Sequence, residues 1–505
     1  MVARVFAAQP SVLGADIVTI EADLSRGLYA FAIVGLPGKA VEEAKDRLAS
    51  AIKNSGFTSP KSDNHKVVIS LAPADLKKEG PLFDLGMAIS YLIGAEEIHA
   101  NVSHTLFLGE LALDGTLRPV RGVLPVVREA ARRGFTEVIV PMENVSESAL
   151  IPNIKTFGAS SLLSVINHID TKRTDHAPLT KAERTLLQDA WEDTTIRLED
   201  IRGQESAKRG LIVSAAGRHN AILVGPPGTG KTMLARALPG ILPPLSVDEA
   251  LEVTSIHSVA GANSGITARP PFRAPHHTAS HTSLVGGGTN PKPGEVTLAH
   301  RGVLFLDEFP EFERRSIDAL RQPLEDRVVS ITRVQASVLF PADFILIAAM
   351  NPTRGGDERG DYALQMLETY KQKISGPILD RIDLWLPVPH VDYDTLTEKR
   401  DANALPDETK RARELILRAR EKQHERLKGR GPQTNAEMTA RDIEACIELT
   451  TEVTTLLRNA SEKLGLSPRS YHRLIKVAQT IADLDDKERI EEKHVLEALQ
   501  YRVKI

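Results

Sequence analysis

The chain of 505 residues is long enough for about three domains, each with its own hydrophobic core. Its 42% hydrophobic and 26% charged residues are ordinary for a globular protein, and its net charge of −4 provides no overall attraction for nucleic acid. The single cysteine, Cys446, excludes an intrachain disulfide. No apolar run is long enough to cross a bilayer, and the first residues lack the apolar core of a signal peptide. The expected location is the cytoplasm, without a membrane partner.

Residues 1–165 alternate between predicted strands and predicted helices, which indicates an α+β domain. The predicted strands cover 31–35, 66–71 and 137–141, and the predicted helices cover 40–55 and 82–93. The residues that follow, 166–195, are polar and charged, and we predict that they form a linker to the next domain.

Two segments of the first domain resemble the Lon protease domain: 78–85, K-E-G-P-L-F-D-L, and 121–134, R-G-V-L-P-V-V-R-E-A-A-R-R-G. This resemblance implies a ribosomal-protein-S5-like fold. Lon proteases use a serine and a lysine as a catalytic dyad, whereas this chain has Leu82 and Val126 at those positions. Because neither side chain can act as nucleophile or base, we expect a non-proteolytic scaffold or interaction domain.

The segment 221–232 predicts a nucleotide-binding site. A short apolar run leads into G-P-P-G-T-G-K-T and then into a helical pattern, which is the order of a P-loop rather than of an ordinary glycine-rich turn. The glycines let backbone N–H groups face phosphate oxygens. Lys231 would reach the β- and γ-phosphates of ATP, and the Thr232 hydroxyl would bind Mg²⁺. The predicted nucleotide contacts are Gly225, Pro226, Pro227, Gly228, Thr229, Gly230, Lys231, Thr232 and Met233.

Two later apolar runs also end in polar residues. The run 303–306 precedes Asp307 and Glu308, and the run 344–350 precedes Asn351. Because the carboxyl ends of parallel strands face the ligand, we assign Asp307 to the Mg²⁺ shell and Glu308 to polarising the attacking water. Asn351 is predicted to contact the γ-phosphate and that water, which is the sensor-1 role. The alternative is that the strand ends in two surface acids by chance, without a role in the site.

Two arginines are further candidates for the reaction. Arg381 follows an apolar turn and is predicted to be an arginine finger that reaches the γ-phosphate of a neighbouring subunit. The alternative is a surface ion pair with Asp380 or Asp383. Arg469, at the start of a predicted helix, is the sensor-2 candidate, and Arg473 lies one turn further on the same face. The alternative for Arg469 and Arg473 is that they form a basic helix face that is exposed to solvent.

A histidine pair, His276 and His277, lies in the polar segment 269–281. On a strand these neighbours would face opposite ways, and no carboxylate or cysteine is close in sequence to complete a metal shell. Polar packing or nucleic-acid contact is therefore favoured over a metal site. The P-loop ATPases also place residues at the location of Ile201 and Gly203 around the adenine, so both are candidate nucleotide neighbours.

The residues from 198 onward resemble the AAA+ ATPases of the magnesium-chelatase-like group, most closely the ComM/YifB proteins. The segments that carry this resemblance are 272–280, 302–312, 375–384 and 467–484, and 34–43 extends it to nearly the whole chain. The resemblance implies four parts: an S5/Lon-like domain (1–165), a linker (166–195), an AAA+ core with a doubly wound parallel sheet (196–390) and a C-terminal helical lid (391–505). One feature differs from these relatives. They often carry a cysteine cluster after sensor 1, whereas residues 351–360 of this chain contain no cysteine.

The family resemblance implies a ring, usually a hexamer, that hydrolyses Mg-ATP at sites shared between subunits. ComM-type members are associated with DNA branch migration during natural transformation. The glycine-rich insertion 284–295 and the hairpin 328–340 would then face the central pore, with Lys292, Arg327 and Arg333 as candidate DNA contacts. The alternative is a metal-chelatase motor subunit or a chaperone-like ATPase that remodels a protein.

Overall fold

The computed structural model describes residues 3–11, 14–61, 65–185, 191, 196–261, 268–288, 292–332, 337–351, 374–392 and 407–502. The chain forms two compact units. The first unit contains Met1–Gln188 and Ala250–Thr267, and the second contains Asp189–Glu249 and Ala268–Ile505. The predicted mixed α/β class is confirmed. Residues 250–267, which fall within the predicted AAA+ core of 196–390, belong to the first unit, and the predicted domain bounds stay a prediction.

A seven-stranded sheet forms the centre of the first unit. The strands of this unit are β1 (Ala3–Pro10), β2 (Ala15–Arg26), β3 (Ala30–Val34), β4 (His65–Ala72), β5 (Thr105–Phe107), β6 (Glu110–Leu111), β7 (Leu117–Arg118), β8 (Glu137–Pro141) and β9 (Lys155–Ala159). The sheet order is β3-β4-β2-β1-β5-β8-β9, and β6 and β7 form a separate two-stranded sheet. Strand β2 runs antiparallel to β1 and β4, and the other neighbours are parallel.

The helices of the first unit cover the sheet and complete its core. They are Lys39–Glu42, Ala44–Asn54, Asp84–Gly94, Val123–Arg132, Val145–Ser148 and Leu162–Ile169. Helix Val247–Ala260 belongs to this unit from Ala250 onward. Leu82 is 5% exposed and Val126 is fully buried, so both positions of the sought protease dyad contribute apolar core. The likeness to the S5 and Lon folds stays a prediction.

Residues 166–185 of the predicted linker belong to the first unit. Residues up to Ile169 continue helix Leu162–Ile169, and the backbone N–H of Ala182 donates to the carbonyl of Thr156 in β9 at 2.9 Å. Leu179 packs against the core of this unit. Composition predicts a solvated segment because the side chains are polar, but the backbone groups of this segment pair with the sheet.

The second unit is built on a five-stranded parallel sheet. Its strands are β10 (Ala221–Val224), β11 (Phe272–Arg273), β14 (Val303–Leu306), β17 (Ile345–Met350) and β18 (Leu384–Pro387), and two small hairpins pair β12 (Gly286–Gly287) with β13 (Lys292–Pro293) and β15 (Val328–Thr332) with β16 (Ser337–Pro341). The sheet order is β11-β14-β17-β10-β18. Every residue of β14 and β17 is buried, as expected for parallel strands covered on both faces. The hairpin predicted at 328–340 is confirmed.

The helices of the second unit include a C-terminal group. They are Glu205–Gly217, Lys231–Ala237, His281–Val285, Glu295–Leu298, Arg314–Asp318, Arg321–Asp326, Gly376–Leu379, Glu408–Leu427, Ala440–Cys446, Thr451–Leu464, Pro468–Leu484 and Glu492–Gln500. Helix Thr451–Leu464 ends at Gly465, which adopts φ 56°, and Ser467 caps helix Pro468–Leu484. The helix predicted to start near Arg469 is therefore confirmed. No helix within the described ranges is both long and apolar enough to cross a membrane.

Candidate functional site

The P-loop lies at the carboxyl end of β10, where the sequence places it. Gly228 and Gly230 adopt φ values of 79° and 91°, which L side chains rarely adopt. Gly225 is required for a different reason, because a Cβ there would lie 2.0 Å from the carbonyl oxygen of Val388. The glycines therefore permit both the loop conformation and its close contact with the chain that follows β18.

The ammonium group of Lys231 is held by the P-loop itself. Its Nζ donates to the carbonyl oxygens of Gly225 at 2.7 Å and Pro226 at 2.6 Å. Burial lowers the pKa of Lys231, because the charged form is removed from water. The cation thus lies at the loop where phosphate oxygens are expected, with neutral acceptors that phosphate can replace.

Thr232 and Asp307 meet although they come from different elements. The Thr232 hydroxyl donates to Asp307 Oδ2 at 2.9 Å, and the N–H of Glu308 donates to Asp307 Oδ1 at 2.9 Å. A hydroxyl and a carboxylate are oxygen ligands of the kind that Mg²⁺ prefers. This donor set fits the magnesium ion of Mg-ATP.

Asn351 lies at the same edge of the sheet as the P-loop. Met350 pairs with Val224 in the parallel register of β17 and β10, and its carbonyl accepts from the N–H of Gly225 at 3.3 Å. Asn351 is the next residue after this pair and is exposed. The sheet register therefore brings the ends of β10, β14 and β17 together as predicted.

Glu308 contacts a residue that the sequence did not connect with it. Its Oε2 lies 3.1 Å from His277 Nδ1, and its backbone is in the left-handed region with φ 50°. His277 follows β11, which neighbours β14 on the side away from β17 and β10. The Glu308 carboxylate is thus turned to the β11 side of its strand, whereas the Asp307 carboxylate contacts Thr232.

The two histidines lie on the same side, contrary to the expectation for a strand. The rings of His276 and His277 stand 4.1 Å apart, because β11 ends at Arg273 and the histidines occupy the following turn. His276 Nδ1 lies 2.9 Å from the Thr278 hydroxyl. The position of this polar run beside Glu308 depends on the pairing of β11 with β14, which no local sequence pattern indicates.

The segment before helix Glu205–Gly217 borders the P-loop. Gln204 Nε2 donates to the carbonyl of Thr229 at 3.4 Å and to that of Pro389 at 2.6 Å. Ile201 is buried in the core of the second unit, and Gly203 adopts φ 63°. This placement is compatible with a nucleotide neighbour, and the assignment of Ile201 and Gly203 to adenine stays a prediction.

Arg381 lies at the opposite edge of the sheet. Asn220, the residue before β10, donates through Nδ2 to the Arg381 carbonyl at 3.0 Å. Arg381 itself precedes β18, which runs parallel to β10. Strand β10 alone separates this edge from the P-loop by about 13 Å at roughly 3.3 Å per residue. The Arg381 side chain is therefore on the edge away from the P-loop of its own chain.

Arg469 lies at that same opposite edge. Its Nη2 donates to Glu325 Oε1 at 2.8 Å, and Glu325 Oε2 accepts from Arg381. Arg473, one turn further along the helix, donates to the carbonyl of Ile382 at 2.9 Å. The sequence proposed Asp380 or Asp383 as ion-pair partners of Arg381, and the partner in the structure is Glu325 instead.

The three candidate DNA contacts have different positions. Lys292 is exposed in β13, whereas Arg333 lies outside the described residues. Arg327 Nη1 pairs with Glu437 at 2.9 Å and with Asp343 at 3.3 Å. Because two carboxylates hold its guanidinium, Arg327 contributes to the fold of the second unit, and we do not include it in a DNA-contacting surface.

Comparisons with known proteins match most of the chain. Family models described as magnesium chelatase subunit ChlI match residues 197–396, subunit ChlI of Mg-chelatase residues 20–144, and the ChlI C-terminal region residues 406–502. The competence protein ComM of Haemophilus influenzae is 43% identical over 498 residues, which cover 97% of this chain and 95% of ComM. The chain belongs to the magnesium-chelatase-like ComM/YifB family.

More distant members of the ComM/YifB family and of the chelatase group also match. The uncharacterised protein YifB of Escherichia coli is 41% identical, with 96% of this chain and 94% of YifB covered. The magnesium-chelatase 67 kDa subunit of Chlorobaculum parvum is 26% identical over 45% of this chain and 34% of its own length. Membership of this AAA+ group supports an ATPase motor that uses a nucleotide and Mg²⁺.

Proposed function

We propose that the chain hydrolyses Mg-ATP at the carboxyl edge of the five-stranded sheet. The P-loop N–H groups and Lys231 bind the phosphates, and Thr232 and Asp307 hold the metal. The bound Mg²⁺ neutralises charge that develops on the phosphate oxygens. Glu308 accepts a proton from the attacking water, and the amide of Asn351 orients that water. The 2.9 Å contact between Thr232 and Asp307 supports these roles.

Each site is completed by the next copy of the chain. The observation that carries this proposal is the position of two arginines relative to the P-loop. Arg381 and Arg469 lie at the amino edge of the five-stranded sheet, whereas the P-loop lies at its carboxyl edge. An arginine stabilises transition-state charge only within contact distance of the phosphate. Because both arginines lie on the far edge, we assign them to the nucleotide of a neighbouring subunit. A ring, with six copies as the expected number, places every P-loop against such an arginine pair.

We further propose that the ring moves along DNA as a translocase or branch-migration helicase of the ComM type. The β12–β13 and β15–β16 hairpins are separate from the five-stranded sheet, and exposed Lys292 on β13 is available for a phosphate. The net charge of −4 means that such contacts must be local. The alternative client is a protein, as for a chelatase or a remodelling ATPase.

The deciding experiment measures ATP turnover without DNA and with single-stranded, duplex and four-way-junction DNA. We expect DNA to raise turnover and the effect to weaken as salt rises, because phosphate contacts release counterions. Sedimentation with and without nucleotide gives the assembly state. Turnover that no DNA changes, together with a stable protein client in a pulldown, would favour the alternative. Full turnover by a monomer would contradict the shared site.

A further inference from the structure

Glu325 lies between the two arginines that the proposed function assigns to a neighbouring nucleotide. Each of its carboxylate oxygens has one of these partners: Oε1 accepts from Arg469 at 2.8 Å, and Oε2 accepts from Arg381. The arginines come from separate elements, the turn after helix Gly376–Leu379 and the start of helix Pro468–Leu484. A single acidic residue therefore joins two cations that are far apart in sequence.

The electrostatics of this trio require the acid. Arg381 is only 6% exposed, and its guanidinium also donates to a neutral acceptor, the Pro377 carbonyl. Without the Glu325 carboxylate, the guanidinium groups of Arg381 and Arg469 would repel each other. Burial of a cation without a counter-ion also costs free energy. The arginines in turn lower the pKa of Glu325, with Arg381 as the larger cause, so the acid stays ionised.

The trio borders a cavity that is lined by charges of both signs. Glu325, Arg381 and Arg469 line a space of about 460 Å³ together with Arg473 and Lys476, and the carboxylates of Asp343, Asp380, Asp383 and Glu437 line it as well. The Nε atoms of Arg381 and Arg473 are buried and have no hydrogen-bond partner among the described residues. Glu325 is the acid of this cavity that contacts both Arg381 and Arg469.

Glu325 also sits at the base of the β15–β16 hairpin. It belongs to helix Arg321–Asp326, and only Arg327 separates that helix from β15. Arg327 is itself anchored by Glu437 and Asp343. A displacement of the hairpin base would therefore move the acid that holds both arginines.

We propose that Glu325 is a positioning residue that sets Arg381 and Arg469 as one pair for the phosphate of the adjacent subunit, an inference that rests on the proposed function. Glu325 does not contact the nucleotide of its own chain, and its effect passes through the arginines. Loss of its charge leaves the P-loop of the same chain intact and impairs the site of the neighbour.

The test compares Glu325→Gln with Asp326→Asn, which removes the same charge from the next residue. We expect Glu325→Gln to lower kcat for ATP roughly tenfold to a hundredfold, below the 10³–10⁵ attributed to an arginine finger itself, with little change in KM. Asp326→Asn should retain wild-type turnover. Glu325→Asp, which keeps the charge on a shorter side chain, should fall between them. Melting curves and nucleotide binding establish that each variant is folded.

Mixing distinguishes positioning from a general structural defect. A Lys231→Ala chain has no working P-loop but donates intact arginines, so its equimolar mixture with Glu325→Gln should restore about a quarter of wild-type turnover in rings with random neighbours. Absence of restoration, or full turnover by Glu325→Gln alone, overturns the inference. An equimolar mixture of Lys231→Ala and Arg381→Ala chains tests the shared site separately. If that mixture fails as well, the proposed function fails; if only the Glu325→Gln mixture fails, Glu325 alone is misassigned.

Discussion

His277→Ala tests whether the contact with Glu308 restrains the proposed base. His277 Nδ1 lies 3.1 Å from Glu308 Oε2 on the β11 side of the strand, whereas the P-loop lies on the other side. A bond between such groups is worth about 0.5–1.5 kcal/mol net, which corresponds to a factor of roughly two to twelve in an equilibrium. Because the His277 and Glu308 side chains are 32% and 50% exposed, we use the lower part of this range. We therefore expect basal turnover without DNA to rise about two- to fivefold.

The assay is steady-state ATP hydrolysis at saturating ATP, with and without DNA. His276→Ala is the matched control, because its ring stacks on His277 and contacts Thr278 rather than Glu308. The gain should vanish in a chain that also carries Glu308→Gln, since His277 acts only through that carboxylate. Unchanged turnover in His277→Ala would refute the reasoning. A fall in turnover would mean that His277 holds Glu308 in its working position.

Three further changes test other parts of the structure. Glu308→Gln should bind ATP normally but lower turnover by about 10²–10⁴, because the water loses its base; normal hydrolysis with unchanged filter binding would exclude this role. Gly225→Ala should destabilise the loop by about 1–3 kcal/mol and weaken ATP binding, because its Cβ would meet the Val388 carbonyl at 2.0 Å; titration calorimetry that finds wild-type affinity would contradict this. Burial raises the pKa of Asp84 to about 6 despite its ion pair with Arg47, so the folded chain binds this proton more tightly than the unfolded chain. The first unit should consequently lose up to about 3 kcal/mol of stability as pH rises from 4 to 6. Hydrogen exchange of its core amides measures this loss, and Asp84→Asn should make the stability independent of pH in this range. A pH dependence that persists in the variant would argue against this role of Asp84.

The nucleotide edge was predictable because each of its parts is a local pattern. An apolar run followed by glycines, or by acids, locates both the strand and its polar end within about ten residues. Parallel pairing then brings Thr232 and Asp307 together without any further information. The same reasoning found Asn351, whose position depends only on the register of β17 against β10.

The contacts that escaped prediction join distant parts of the chain. Glu325 is 56 residues from Arg381 and 144 from Arg469, whereas the acids near Arg381 in sequence, Asp380 and Asp383, indicated a different ion pair. The contact of His277 with Glu308 depends on the short strand β11 bordering β14. Strands β1 and β2 were also not predicted, since their alternation is interrupted by alanines and polar residues that pack at the sheet.

The opposite placement of P-loop and arginines makes the proposed contact between copies head-to-tail. Two chains joined in this way still leave one acceptor edge and one donor edge free, so a dimer cannot satisfy both. Assembly would end only when the last copy meets the first. A chain with only one of the two edges disabled would still join through the other edge and would prevent closure, so small amounts of it would inactivate more sites than its own share of the mixture.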